Sequence, residues 1–283
     1  MMTIKIVTDS TSDLTEDLVK TYGIEVVPLS ISVNGKTYLD GIDISKKEFI
    51  GLLTSSEELP KSSQPSVGYF EETYRRLLDE PETSHIISIH LTEGMSGTYN
   101  SARTAADMVG DKVTVINSHF ISHALSFQVL EAAQMAQGGS SVEEIVARME
   151  EVRANTSLYL MVDTLEYLAK GGRIGRGKAL LGSLLKIKPI ASLADGVYTP
   201  VTKVRTHMQM IEYFTKQFKE ETEAFKVKAI GIAHIEAESL AHKLREALQQ
   251  VKNIPVTITE TSPIISTHTG PGAIALMYYT EKK

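Results

Sequence analysis

Four short segments carry side chains able to bind an anion or move a proton. KSSQPS (61–66), EGMSGTYNSA (93–102) and STHTGPG (266–272) are dense in hydroxyls and glycines, and GGRIGRGK (171–178) sets three cations among four glycines. Ser96-Gly97-Thr98 stands just before a helical pattern, where free backbone N–H groups and the macrodipole attract an anion. Each turn also has a plainer use: Ser96 as an N-cap, and Pro65 as a helix start with Ser63 or Gln64 before it. His268 lies in a Thr/Gly/Pro turn with no apolar stripe to serve. Its imidazole is free to hold an anion, to move a proton near neutral pH, or to bond to backbone.

Gly172 through Gly177 to Lys178 spells G-x-x-x-x-G-K, the outline of a nucleotide phosphate loop. That loop needs a strand entering it, a helix leaving it, and a Ser or Thr after the Lys to reach magnesium. Position 179 is Ala, and DTLEYLAK (163–170) places Leu165, Leu168 and Ala169 at helical spacing, so a helix enters. The nucleotide reading therefore fails. Two remain: a helix C-cap at Gly171-Gly172 followed by a solvated basic turn, or a docking surface for a phosphate or an acidic partner.

Other chemistries find less support. The chain has no cysteine, which removes thiolate nucleophiles, thiolate metal sites and disulfides. His119 and His123 in HFISH are spaced i,i+4 but lack the Glu of a zinc helix, so packing is expected of them and no metal site. No G-x-S-x-G elbow occurs, and no base-and-orienter set accompanies Ser96.

The elements that must position these segments alternate. IKIVTD (4–9), IISIHL (86–91) and KVTVIN (112–117) read as strands, and helical patterns follow each. Asp13 with Glu16 suggests a capping box on the first helix. Tyr99, Ala102, Ala106 and Val109 share a helix face, and a further helix is expected over 124–136. This alternation predicts a parallel sheet covered by helices. IEVVPLSISVNGKTYLD (24–40) predicts a strand pair about Asn34-Gly35. After the QGGSS loop (137–141) and an amphipathic helix, LYLMV (158–162) opens a second half. There a strand pair about Asp195-Gly196 predicts antiparallel pairing. Helix 206–221, strand 229–235, helix 239–251 with Leu240, Leu244, Leu248 and Val251 in one stripe, and strands 256–261 and 273–279 follow.

The fold expected is α/β in two domains: 1–157 with a parallel sheet, and 158–283 with a largely antiparallel or mixed sheet. The 283 residues suffice for two buried cores. Twenty-nine Lys and Arg against 35 Asp and Glu give a net charge of −6, which argues against a nucleic-acid binder. The opening MMTIKIVTDSTSDL lacks the apolar core of a secretion signal, and no run approaches the roughly 18 apolar residues of a membrane span. A cytoplasmic chain without a transmembrane segment is expected.

Taken in order, VTDST-SDL (7–14), Tyr38 to Ile44, SSQPS (62–66), SGTYNSA (96–102), LEYLAKGGRIG (165–175), K-x-R-T (203–206) and THTGPGAIA (267–275) resemble the DegV family over essentially the whole chain. That family includes the fatty-acid-binding subunits of bacterial fatty acid kinase. The resemblance implies two α/β domains with a long-chain fatty acid, such as palmitate or oleate, between them and the first domain holding most of the acyl tunnel. It implies that Ser62 and Ser96 hold the carboxyl group, with Gly97 beside them and His268 in the same network. It further implies that Arg205 lies near that pocket and that Arg173 meets a separate ATP-binding kinase subunit, which phosphorylates the carboxyl group in phospholipid metabolism. No catalytic residue, metal or cofactor beyond the bound lipid is implied, so the chain is a carrier and no enzyme by itself. The alternatives are a stand-alone phosphotransferase or hydrolase built on Ser96, His268 and Arg205, and a lipid-responsive sensor acting through GGRIGRGK.

Two departures from the family pattern stand out. Ser62 replaces the usual Thr, keeping the hydroxyl. Asn117-Ser118 and SHALS (122–126) replace Asp-Ser and a Ser-x-Gly-x-Gly helix start, which puts His123, Ala124 and Leu125 where backbone and ligand are expected to approach closely.

Overall fold

A computed structural model describes residues 3–56, 58–182, 187–193 and 195–282. In chain order the first half runs β1 (Thr3–Asp9), α1 (Glu16–Tyr22), β2 (Glu25–Val27), β3 (Ser30–Val33), β4 (Lys36–Leu39), α2 (Lys46–Ser55), β5 (Lys61–Ser63), α3 (Val67–Leu78), β6 (Thr83–His90), α4 (Thr98–Val109), β7 (Val113–Asn117), α5 (Ser122–Gln137) and α6 (Val142–Ala154). The second half runs β8 (Thr156–Met161), α7 (Glu166–Lys170), β9 (Lys188–Ser192), β10 (Thr199–Val204), α8 (His207–Thr222), β11 (Phe225–His234), α9 (Glu238–Val251), β12 (Thr257–Glu260), α10 (Pro263–Thr269) and β13 (Ile274–Lys282).

Among the described residues these strands form three sheets. The first, in order β2-β1-β6-β7, is parallel throughout, as strand–helix alternation requires. The second, in order β10-β9-β8-β13-β11-β12, is mixed: only β11 and β12 run parallel. A small antiparallel sheet, β4-β3-β5, joins the hairpin about Asn34 and Gly35 to the hydroxyl-rich segment 61–63. Asn34 and Gly35 both take positive φ, the twist a two-residue hairpin needs. The strand character of 61–63 was not visible in its composition, because Lys-Ser-Ser has little β-propensity and pairs only because β3 offers an edge.

The layers follow from which faces are apolar. α3 and α4 bury Phe70, Tyr74, Ala102 and Ala105 on one face of the parallel sheet. α8 and α9 bury Phe214, Phe218, Leu244 and Leu248 on the outer face of the mixed sheet. Strand alternation divides the latter cleanly: Ile274, Leu276 and Tyr278 of β13 point to those helices, while Ala275, Met277 and Tyr279 point inward. Between the sheets lies α5, in which Ala124, Leu125, Phe127, Val129, Ala132 and Ala133 are all buried. A helix buried on all sides along its first two turns belongs in a core, and this one is the partition against which both halves pack.

Three local expectations are corrected. Thr15, not Asp13, caps α1 by accepting from Leu18 N–H. Asp13 instead takes a left-handed φ of 53° and turns toward the second half. Ser66 caps α3, with Pro65 lying just outside the helix. His268 lies in the last turn of α10, which the turn-rich composition of STHTGPG concealed; Ser262 caps this helix and Pro263 begins it.

Candidate functional site

β5 turns Ser62 inward while Lys61 and Ser63 face solvent. The Ser62 Oγ meets His268 Nε2 at 2.6 Å, joining the small sheet of the first half to α10 of the second. His268 Nδ1 has no hydrogen-bond partner and faces Gly171, where any Cβ would collide with the ring. An orphaned N–H costs more than an orphaned lone pair. The favoured tautomer therefore carries its proton on Nε2 and donates to Ser62, leaving the Ser62 O–H free to donate onward. Burial, reinforced by the nearby Arg173 cation, pushes the His268 pKa down to about 4. The imidazole is neutral at physiological pH.

Ser96 lies on the turn that leads into α4. Its Oγ is 2.9 Å from Thr98 Oγ1 and accepts from Thr98 N–H at 3.3 Å. Gly97, not Ser96, holds the cap position of α4 and gives no side-chain cap. A Cβ on Gly97 would fall on the Gln64 amide, which donates to Ser101 Oγ at 2.9 Å.

Arg173 is half-buried, not free in solvent. Its guanidinium donates to the carbonyls of Met95 (2.9 Å) and Gly171 (2.7 Å), tying the turn before α4 to the turn after α7. Beside it Thr92 Oγ1 donates to Gly196 O at 2.8 Å, so the tip of the β9–β10 hairpin rests on the first half.

Ser62, Ser96, Arg173 and His268 line one cavity of about 560 Å³, mouth included. Thr11 and Gln64 add polar groups to this wall, and Leu29, Leu91, Leu160, Leu168 and Ile264 make the rest apolar. A second cavity of about 350 Å³ shares Ile121, Leu160, Ile265 and Thr269 with it and continues inward past Ala233, Ala275 and Met277. The arrangement is a polar head compartment leading into an apolar one, and the inner compartment is lined mainly by the second half.

Arg205 is not part of this wall. It follows β10 at the edge of the mixed sheet, exposed, with its backbone N–H donating to Gln209 Oε1. Thr11, Gln64 and Met95 are wall residues to which motif reasoning gave no ligand role, although the quoted segments VTDST, SSQPS and EGMSGTYNSA contain them. The 117–126 segment also resolves. Ile121 and Ser122 reach the inner cavity, while His123 packs over Gly231 of β11, where a Cβ would fall inside the imidazole ring. The extra side chain at 123 is thus accommodated by a missing one on the facing strand.

As a phosphate loop the glycine-rich segment has the wrong frame: α7 enters it and a 3₁₀ turn over Gly175–Leu180 leaves it. Among the described residues no group of His, Asp and Glu could hold a metal ion, and no helix is long and apolar enough to cross a membrane.

Comparison with known proteins agrees with this architecture. The model of a family described as uncharacterised proteins, DegV family, matches residues 3–281. A DegV domain-containing protein of Listeria innocua is 42% identical over 283 residues, covering 99% of this chain and 100% of the relative. A DegV domain-containing protein of Staphylococcus aureus is 40% identical over 275 residues, 96% of this chain and 97% of its own. Among solved structures, a fatty-acid-binding DegV family protein from Thermus thermophilus superposes with a TM-score of 0.93 at 32% identity, covering 99% of this chain and 100% of that one. DegV of Bacillus subtilis, a fatty acid binding protein, gives 0.90 at 31%, covering 99% and 100%.

Proposed function

The chain belongs to the DegV family, and from that premise we propose that it binds a long-chain fatty acid between its halves and presents the carboxyl group to a separate ATP-binding kinase subunit. The observation that carries this reading is the composition of one cavity wall. Ser62, Ser96 and His268 stand with Arg173 at one end, and aliphatic side chains make the remainder. The carboxylate lies among the hydroxyls, accepting from Ser62 and Ser96, with the Arg173 cation close by. Each buried CH₂ of the tail contributes about 0.8 kcal/mol, so a long chain is held chiefly by its length. The tail runs past the shared wall of Ile121 and Leu160 into the inner compartment, which draws more on the second half than the family resemblance implied.

The site suits a carrier better than a hydrolase. Ser62 and His268 are spaced like a nucleophile and its base. But the imidazole has no third group orienting Nδ1, and a pKa of about 4 makes it a poor proton acceptor near pH 7. Acyl-phosphate formation needs no such base. The fatty acid carboxylate is itself the nucleophile toward the γ-phosphate of ATP, and ATP comes with the partner. Arg205 is absent from the wall, which weighs against a stand-alone enzyme built on Ser96, His268 and Arg205. Lys178, exposed on the turn that follows Arg173, gives the partner a cation near the carboxyl end, while Arg176 is paired with Asp195 at 2.5 Å.

The test is mass spectrometry of an organic extract of the purified, undenatured protein, quantified against chain concentration. Near one long-chain fatty acid per chain supports the carrier reading. An empty extract, with no uptake on incubation with palmitate or oleate, overturns it. Phosphorylation of the bound acid only when an ATP-binding subunit is added tests presentation separately.

A further inference from the structure

Two of the sequence segments have no part in the head compartment: Asp13 of SDL (12–14) and the turn Asp40 to Ile44. The structure brings them together at the other end of the ligand cavity. Asp13 accepts hydrogen bonds from three donors: Ser122 Oγ (2.5 Å) on α5, and Thr261 Oγ1 (2.6 Å) and Ser262 N–H (2.8 Å) from the second half. Ser122 and Thr261 are both residues of the inner cavity wall. Lys46 of α2 donates to the Glu260 carbonyl alongside. This set is a latch across the seam between the halves, placed where the proposed acyl tail ends.

The latch is held under backbone strain. Asp13 (φ 53°) and Ser122 (φ 54°) both occupy the left-handed region without being glycine. Such conformations persist only where surrounding contacts offset their cost, as the three hydrogen bonds to Asp13 do here. Next to the latch lies Asp40, 3% exposed: its backbone N–H donates to Leu29 O, Leu29 N–H donates to Ser10 Oγ on the turn that ends at Asp13, and the Ser10 hydroxyl is the one side-chain partner near its carboxyl group. A carboxyl so buried, with a single hydroxyl for support, is costly to ionise.

We infer that Asp40 is a proton-dependent control on the Asp13 latch: protonated Asp40 leaves the latch closed over the tail end of the cavity, and ionised Asp40 loosens it. The inference rests on the fatty-acid reading and adds regulation to that same site. Burial raises the Asp40 pKa to about 7, with Asp13 and Asp9 adding to the rise and the Ser10 hydroxyl and Lys46 opposing it. The other groups around the seam do not counter this titration. Asp9 is engaged by His90 at 3.0 Å. His123 of α5 and His234 of β11 are both held below the ordinary imidazole range by burial, and Glu260 of β12 contributes its backbone carbonyl to Lys46. The sign follows: with its folded pKa raised, Asp40 favours the closed fold at low pH, and this contribution is lost as pH rises through about 7. A carboxylate then forms beside the Asp13 carboxylate in a poorly solvated place, and the repulsion is relieved by opening the seam.

The experiment loads the full chain with the fluorescent C18 acid cis-parinaric acid and follows its release into excess unlabelled oleate by stopped flow, between about pH 6 and pH 8. The release rate is expected to rise about five-fold or more across that range, with a midpoint near the Asp40 pKa of about 7. Asp40→Asn, which cannot ionise, should stay near the slow rate, and because the ligand's own ionisation is common to both proteins the difference between the two profiles reports Asp40. Lys46→Met, which removes a cation favouring the ionised form, should move the midpoint upward. A flat wild-type rate, or an Asp40→Asn profile identical to wild type, overturns the switch while leaving fatty-acid binding intact. If Asp40→Asn does not fold, the wild-type profile and the Lys46→Met midpoint still decide. Failure of the probe to bind at any pH overturns the fatty-acid reading, and the switch with it.

Discussion

Ser62 Oγ lies 2.6 Å from His268 Nε2, although the two residues are separated by 206 positions in the chain. The bond crosses the seam between the two halves and leaves the Ser62 proton pointing into the cavity they share. A carboxyl group bound there, as proposed, would touch both halves at once, so the binding event would bridge them.

Removing either hydroxyl should weaken that event. Ser62→Ala and Ser96→Ala are each expected to cost about 1.5–3 kcal/mol of fatty-acid affinity, the worth of a hydrogen bond to a charged group. Isothermal titration with palmitate checks this. Unchanged affinity in both variants would place the carboxyl group elsewhere.

His268 makes the head site insensitive to mild acid. Its folded pKa of about 4 lies below the ordinary 6.5, so its contribution to stability is present above about 6.5 and is lost as pH falls toward 4. The imidazole signals should titrate near 4 by NMR, and His268→Gln should reduce the loss of stability on acidification through that window. A midpoint near 6.5 would contradict the burial of this ring.

Arg173 is expected to act locally as well as at any docking surface. Arg173→Ala removes the cation that helps depress His268 and frees the Met95 and Gly171 carbonyls. The His268 midpoint should rise toward the ordinary imidazole value, and fatty-acid release should quicken. An unmoved midpoint would separate the two residues electrostatically.

The fit of His123 over Gly231 is testable as a pair. Gly231→Ala should cost roughly 1–3 kcal/mol of stability by overpacking against the imidazole, and adding His123→Ala should recover much of the loss. Urea unfolding of the single and double variants measures the coupling; simple additivity would refute the contact.

Leu160 stands on the wall shared by the two cavities. Leu160→Phe should narrow the passage and shift the fatty acids co-purifying with the protein toward shorter chains. Lipid extracts compared by mass spectrometry give the answer, and an unchanged distribution would mean that the tail takes another path.

Much of the architecture was legible in the sequence because it depends on local pattern. Strand–helix alternation predicted the parallel sheet, Asn34-Gly35 its hairpin, and Asp195-Gly196 the antiparallel pair. Ala179 and the helical spacing before Gly171 ruled out the phosphate loop. Ordered motifs led to Ser62, Ser96 and His268, which share one cavity wall, and to Arg173, which was expected at a docking surface and lies on that wall as well. Tertiary structure alone decided what their side chains face. Asp13 looked like a cap because a capping box is judged over four residues, whereas its donors lie at Ser122, Thr261 and Ser262. Arg173 looked free because charge is read as exposure, yet two carbonyls fold around it. Arg205 belongs to the same ordered motifs but lies outside the pocket, because sequence order fixes the strand and not its distance from the opposite domain. Local pattern sets secondary structure through short-range sterics and periodic burial; which polar groups lose water together depends on how two separately formed halves meet.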